Sequence, residues 1–308
     1  MTGAHWALAI HGGAGGRASD TRQHEVSAIR ETLIRALEAG AQLLAAGESA
    51  VQAAQAAVKV MEASGVLNAG RGAVLNHEGY AELDAAIMDG KNRAAGAVAC
   101  VRHVPHPIDL ARKVMDASPH VLLVGTGAEQ FAHEQGFELV PPEYFITEQR
   151  KLERERALAK QSQMLGLGSL PASSLGTVGA VALDANNNLA AATSTGGLTN
   201  KHAGRVGDSA LIGAGTYAEN GLCAVSTTGR GEYFIRCVSA NDLRARMKYR
   251  NEHLQDAARN VIEDVKGMGG HGGLIAINQR GDIAMPYSTP TMLRGMVTAR
   301  DRLQVFMD

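Results

Sequence analysis

A chain of 308 residues with 45% hydrophobic content can bury a full core, as one large domain or two modest ones. Its 30 basic and 31 acidic side chains leave a formal charge of -1, which argues against a nucleic acid or an anionic membrane as the main partner and favours a small molecule or a peptide. The three cysteines, Cys100, Cys223 and Cys237, are odd in number, widely spaced and set in apolar runs, so neither a disulfide framework nor a zinc site is indicated and a reducing cytoplasm fits.

The first residues have no basic segment before their apolar run, so no signal peptide is expected, and no apolar stretch is long enough to span a bilayer. Residues 6–10 read as a strand ending in a glycine-rich turn over Gly12 to Gly16. That turn lacks the Gly-Lys-Ser/Thr ending of a phosphate cradle and an acidic residue at the dinucleotide spacing, so nucleotide binding is not expected. Two helices follow over 31–46 and 50–62, the second opened by a capping box of Ser49 with Gln52, and both stop near glycine, at Gly47 and Gly65. Strands over 83–88, 94–101 and 121–124 alternate with helices over 108–117 and 128–135, a pattern that reads as α/β.

After Ile146 the dense mixed charge of Arg150 to Arg156 predicts a helix with a solvated face. Residues 164–176 are rich in glycine, serine and small side chains with no period of 2 or 3.6, and residues 155–176 are taken as a flexible linker closing the first part of the chain. The second part opens with strands over 177–183 and 189–195 around the turn 184–188, a hairpin of buried character. A strand pair over 211–217 and 222–227 precedes a helix over 233–247, and a late pair over 273–277 and 283–286 flanks Arg280-Gly281-Asp282.

Gly176-Thr177 is where linker meets strand. Threonine is a good strand former, which alone would account for it. If the bond before it is cut, Thr177 gains a free α-amine beside its own hydroxyl, and such an amine has an unperturbed pKa of about 7.7–8.0, near the working pH of a general base. One residue then holds nucleophile and base. The same hydroxyl can make the cut by attacking the Gly176 carbonyl, which a glycine leaves sterically open.

Six segments in order support a family. They are His11-Gly12-Gly13-Ala14-Gly15, Asn68-Ala69-Gly70, Gly176 to Asp184, Thr193 to Gly197, Gly204 to Asp208 and Thr228-Gly229. Together they resemble the plant-type (type III) asparaginases, also called isoaspartyl peptidases, over nearly the whole chain. The resemblance implies an α+β fold: a four-layer αββα sandwich of the N-terminal-nucleophile hydrolases, formed as one structural domain by two subunits cut from one precursor. The larger would be residues 1–176 and the smaller 177–308, pairing again as a dimer of heterodimers. It implies hydrolysis of β-aspartyl dipeptides and L-asparagine with release of L-aspartate.

A substrate of that kind carries an α-carboxylate and an α-ammonium. Arg205 and Asp208 supply the complementary charges, and a guanidinium fork can take the carboxylate bidentately where a lysine could not. By resemblance the Thr228 hydroxyl and the Gly229 N–H face the oxyanion and the bound substrate, Thr195 orients Thr177, and Asn68 lies near the α-amine. No cofactor is expected for catalysis. A structural sodium ion is implied at a loop of backbone carbonyls that takes in Met61, Glu62, Ala63, Val66 and Ala69. His11, with no other ligand-type residue at metal spacing, reads as a packed, hydrogen-bonded residue. Arg230, beside the oxyanion donors, is expected at the rim, favouring dipeptides with a polar or acidic leaving residue.

Three alternatives remain open at this stage. A glycosylasparaginase shares the nucleophile but belongs to secretory or lysosomal settings. A non-catalytic binding protein would keep the fold and stay uncut, and a sequence-specific threonine protease would need an open groove in place of a clamp for one amino acid.

Overall fold

The computed structural model describes residues 5–16, 23–163 and 176–308. Two sheets carry the fold. The larger has eight strands: β1 (Ala7–Gly15), β2 (Leu83–Asp89), β3 (Ala95–Val101), β4 (Leu122–Val124), β5 (Val178–Leu183), β6 (Leu189–Thr195), β11 (Thr291–Thr298) and β12 (Gln304–Phe306), in the order β12-β11-β1-β5-β6-β2-β3-β4. The smaller has four: β7 (Thr216–Glu219), β8 (Cys223–Gly229), β9 (Gly272–Asn278) and β10 (Ile283–Ala284), in the order β10-β9-β8-β7. Every pairing is antiparallel except β3 with β4. The fold is therefore mixed α+β, and the α/β reading of the first part is corrected, because outside the parallel pair β3 and β4 its helices do not return the chain to parallel neighbours.

Strands β1, β5 and β6 are buried on both faces, which is why they read as continuous apolar runs. Along β1, Leu8 and Ile10 join a core with Leu33 and Leu37 of α1 (Gln23–Ala45) and Val58 of α2 (Ala50–Ala63), while Ala7 and Ala9 join a second core with Val225, Leu274 and Ile275 of the smaller sheet. The small side chains of that second face let β1, β5 and β6 pack directly on β8 and β9. Helix α3 (Pro107–Ala117) packs on β2 and β3; α7 (Ser239–Arg250) packs on β7 and β8, and α8 (Leu254–Gly267) on β9.

Local signals mostly hold. The capping box forms, with the Ser49 hydroxyl accepting from Gln52 N and the Gln52 side chain accepting from Ser49 N. Helix α4 (Gly125–Glu134) and the helix α5 (Glu148–Gln163) lie where periodicity and charge put them. The face of α5 is not simply solvated: Arg150 is buried and donates to Gly72 O at 2.6 Å, and Arg154 donates to Asn76 O at 3.1 Å. Because α5 runs to Gln163, residues 155–163 are helical and not linker, and 164–175 lie outside the described residues.

Three further readings change. The glycines after Ile10 extend β1 instead of ending it, since the strand bulges between His11 and Gly13 and goes on pairing with β11 to Gly15↔Thr291. Residues 211–215 form a turn before β7. The helix over 233–247 is two, α6 (Gly231–Cys237) and α7, broken where Val238 adopts a left-handed φ of 49°. No described helix is long and apolar enough to cross a membrane.

Candidate active site

Thr177 directly precedes β5 and is 4% exposed. Its hydroxyl donates to Thr195 Oγ1 at 3.2 Å and lies 3.4 Å from Ser209 Oγ, and its carbonyl accepts from His11 Nδ1 at 2.9 Å. The bulge in β1 brings backbone against backbone here: a Cβ on Gly13, whose φ is +114°, would sit 2.5 Å from Gly176 N and 2.7 Å from Gly176 O. Gly13 is thus a wall of the Gly176-Thr177 bond, and only a glycine lets the wall come this close.

Thr228 and Gly229 end β8 on another side of that bond. A Cβ on Gly176 would lie 3.1 Å from Thr228 Oγ1 and 4.0 Å from Gly229 N. The Thr228 oxygen already accepts from Ala14 N at 3.2 Å, which leaves its proton for another acceptor. A hydroxyl and a backbone N–H in this pairing can stabilise an oxyanion.

Thr177, Gly176, Thr195, Arg205, Asp208, Ser209, Gly229 and Arg230 line one cavity. Thr228 and Asn68 are fully buried and do not line it. The Asn68 amide donates to Gly197 O at 2.8 Å and accepts from Val74 N at 2.9 Å, so it shapes the loop beside Thr195, whose hydroxyl accepts from Gly197 N at 3.0 Å. Among the described residues Asn68 makes no hydrogen bond to Thr177.

The charged end of the cavity is built around glycine. A Cβ on Gly207 would meet the Arg205 guanidinium at 2.9 Å, and one on Gly231 would meet it at 3.0 Å and Asp208 Oδ1 at 2.7 Å. Arg205 donates through Nε to Glu232 Oε1 at 3.0 Å, while its second terminal nitrogen is buried without a partner. A guanidinium that lines a cavity and keeps one nitrogen unpartnered suits a ligand carboxylate. Asp208 is buried and accepts from the Thr227 hydroxyl at 2.5 Å. Burial pushes its carboxyl up to about 6, against the pull of Thr227 and of the nearby Arg205 charge.

A family model described as asparaginase matches residues 4–307. The chain belongs to this asparaginase family. It is 47% identical to the isoaspartyl peptidase of Salmonella typhimurium over 300 residues, covering 96% of each chain. The isoaspartyl peptidase of Escherichia coli is likewise 47% identical, with 96% of this chain and 93% of that one covered. The isoaspartyl peptidase/L-asparaginase of Mus musculus is 45% identical over 92% of this chain and 86% of its own.

In this asparaginase-family chain the loop after α2, proposed from sequence for a cation, is a run of bends from Ser64 to Gly70. Gly65 and Gly72 have φ of +76° and +90°, and a Cβ on Gly72 would sit 2.5 Å from Gly65 O, so the loop closes tightly on its own carbonyls. The Met61 carbonyl accepts from Ser64 and the Glu62 carbonyl from Arg71 N at 2.8 Å. The Glu62 side chain is buried, and burial raises its pKa; it accepts from Ser194 Oγ at 2.6 Å and from Ile108 N at 3.1 Å, capping α3 from outside. No cluster of His, Cys, Asp and Glu able to hold a metal is present among the described residues.

Sequence reasoning missed Ser209 and Glu232. Ser209 follows Asp208 directly, so the segment was legible but its last residue was not. Glu232 lies in the first turn of α6 and is brought to Arg205 only by the fold. His11 is the packed, hydrogen-bonded residue the sequence suggested: it is fully buried, with Nε2 2.8 Å from Ser226 Oγ.

Proposed function

We propose that this chain is the precursor of a threonine amidohydrolase that cuts itself between Gly176 and Thr177 and then releases L-aspartate from L-asparagine and β-aspartyl dipeptides. The observation that carries the reading is that Thr177 and the pair Arg205 and Asp208 line one cavity. A nucleophile and two opposite charges in one pocket match an amino acid held by both its α-groups with its side-chain amide at the hydroxyl. The relatives, an isoaspartyl peptidase and an isoaspartyl peptidase/L-asparaginase, are named for the same substrates.

In self-cleavage the Thr177 hydroxyl adds to the Gly176 carbonyl. The C–N bond breaks as an ester forms, and the hydroxyl proton passes to the departing nitrogen. Water then opens the ester, leaving a carboxylate on Gly176 and a free amine and hydroxyl on Thr177. In turnover that amine takes the hydroxyl proton as the oxygen adds to the substrate carbonyl, and returns it to the leaving ammonia or amino acid. Water hydrolyses the acyl-enzyme by the same route. Thr195 and Ser209 orient the hydroxyl, Thr228 and Gly229 hold the oxyanion, and Asn68 shapes the loop beside them. Arg205 takes the α-carboxylate and Asp208 the α-ammonium.

The two sheets, with helices packed against each, support a four-layer αββα sandwich built by subunits 1–176 and 177–308. Two such heterodimers pair in the cytoplasm, with no nucleic acid or membrane as partner. Catalysis needs no cofactor. The tightly closed carbonyl loop at Met61, Glu62, Ala63, Val66 and Ala69 suits a structural sodium ion. Arg230, exposed on the cavity wall and with no side-chain hydrogen bond or ion pair among the described residues, favours dipeptides with a polar or acidic leaving residue.

Aspartate release tests the activity. The cut enzyme should release aspartate from L-asparagine and β-Asp-Leu but not from the α-linked Asp-Leu, whose carboxyl is bonded away from the clamp. Equal hydrolysis of the α-linked peptide would instead favour a general peptidase.

A further inference from the structure

Once freed from Gly176, Thr177 would be a chain terminus, and chain termini fray unless something ties them down. The pairing of β1 with β5 stops at His11↔Gly179, and that of β5 with β6 at Val178↔Ser194. Thr177 therefore lies beyond the end of both ladders. Its carbonyl is held by the side chain of His11, at 2.9 Å from Nδ1.

The hydrogen bonds around His11 fix its tautomer. A carbonyl can only accept, so Nδ1 carries the proton; Nε2 of the neutral ring is then the acceptor and takes the Ser226 hydroxyl proton at 2.8 Å. Burial lowers the imidazole to about 3, which keeps it neutral at any ordinary pH. The Ser226 oxygen in turn accepts from Thr193 at 2.7 Å, and Thr193 from Thr216 at 2.7 Å. All four side chains are fully buried. The fold makes room for them: a Cβ on Gly179 would lie 2.4 Å from His11 Nε2 and 2.0 Å from Ser226 Oγ.

We propose that His11 is a positioning residue: its Nδ1–H grips the Thr177 carbonyl and keeps the nucleophile aimed after the bond to Gly176 is gone. The proposal rests on Thr177 being the nucleophile. A nucleophile misplaced by about 1 Å loses on the order of 100-fold in rate, and this bond ties the freed residue to the rigid centre of the large sheet.

The test uses His11→Asn, which keeps an amide N–H near the Nδ1 position, and His11→Gln, which reaches toward Nε2 and gives it up. Intact mass gives the fraction cut, and kcat and KM for β-Asp-Leu are referred to that fraction. The expected result is a kcat roughly 10- to 100-fold lower in His11→Gln with KM changed less than about threefold, and recovery of most of it in His11→Asn. A folded His11→Gln enzyme with kcat within about twofold of the unmodified protein, or a loss wholly in KM, overturns the proposal. A His11→Gln chain that folds but stays whole supports it if His11→Asn cuts, and counts against it if His11→Asn also stays whole. If neither variant folds, Ser226→Ala, which frees Nε2 and lets the tautomer flip, should lower kcat about threefold or more, and an unchanged kcat overturns the proposal. Unmodified protein that neither cuts nor releases aspartate would instead remove the amidohydrolase reading itself.

Discussion

The two ends of the cavity are made of different materials. Around Thr177 the groups are neutral: the hydroxyls of Thr195, Ser209 and Thr228, and an imidazole kept uncharged by burial. Around Arg205 they are charged: Asp208 and Glu232 flank a guanidinium with a buried, unpartnered nitrogen. The neutral end can orient a proton and stabilise a developing oxyanion without holding a charge of its own in the dry interior. In the proposed function the charged end takes the α-groups of the substrate, which stay ionised throughout the reaction. Changes at the first should therefore fall on kcat and changes at the second on KM.

Thr228→Ala is expected to break the neutral end hardest after loss of the nucleophile itself. Removing one oxyanion donor costs roughly 2.7–4 kcal/mol of barrier, so kcat should fall about 100- to 1,000-fold with little change in KM; steady-state kinetics on L-asparagine read the split. A loss confined to KM would erase the distinction between the two ends.

Asp208→Asn sharpens the charged end, because it should damage binding and help the fold at once. The neutral amide cannot pair with the α-ammonium, and KM for L-asparagine should rise on the order of 100-fold. Since the folded pKa of Asp208 is raised to about 6, the fold favours the protonated form. That contribution to stability is complete below the ordinary carboxylate pKa and lost as pH rises through about 6. At pH 7.5, where Asp208 is ionised, the variant should accordingly gain on the order of 3 kcal/mol in denaturant unfolding. By the same titration, kcat/KM of the unmodified enzyme should fall more steeply below about 6, where protonation of Asp208 adds to that of the Thr177 amine, whereas Asp208→Asn should keep only the shallower limb of the amine. The same steepness in the variant would assign the second step to another group.

The smallest effect belongs to Arg230. An exposed charge pair contributes about 0.2–1 kcal/mol, so Arg230→Ala should cut the preference for β-Asp-Glu over β-Asp-Lys by only a few-fold, and less at high salt. Equal rates on the two dipeptides in the unmodified enzyme would remove any role for it.

Much of this was legible in the sequence wherever the signal is local. The capping box at Ser49, the hairpin of β5 and β6 and the segment from Gly204 to Asp208 are each written in consecutive residues. What failed was long-range. The glycines of β1 look like a turn by composition, but pairing with β11 and the approach of Gly13 to Gly176 keep them in the sheet. The break at Val238 carries no glycine or proline; it is a left-handed cap, after which the Ala240 and Asn241 N–H groups donate to the carbonyls of Ala214 and Gly213, partners that no local sequence signal names. Ser209 and Glu232 reach their partners only through the fold, and the hold of His11 on the Thr177 carbonyl spans 166 residues. Strand β11 was not read at all, although it pairs with β1 along eight residues, between β1 and the edge strand β12.

The central claim is that cutting before Thr177 creates the active site. Intact mass and aspartate release should be followed together during incubation at neutral pH, for the unmodified chain and for Thr177→Ala. The account predicts two fragments meeting at Gly176-Thr177, activity that grows in step with them, and a variant that stays whole and inert. A folded unmodified chain that stays whole yet hydrolyses L-asparagine, or a Thr177→Ala chain that is cut at the same bond, would contradict it.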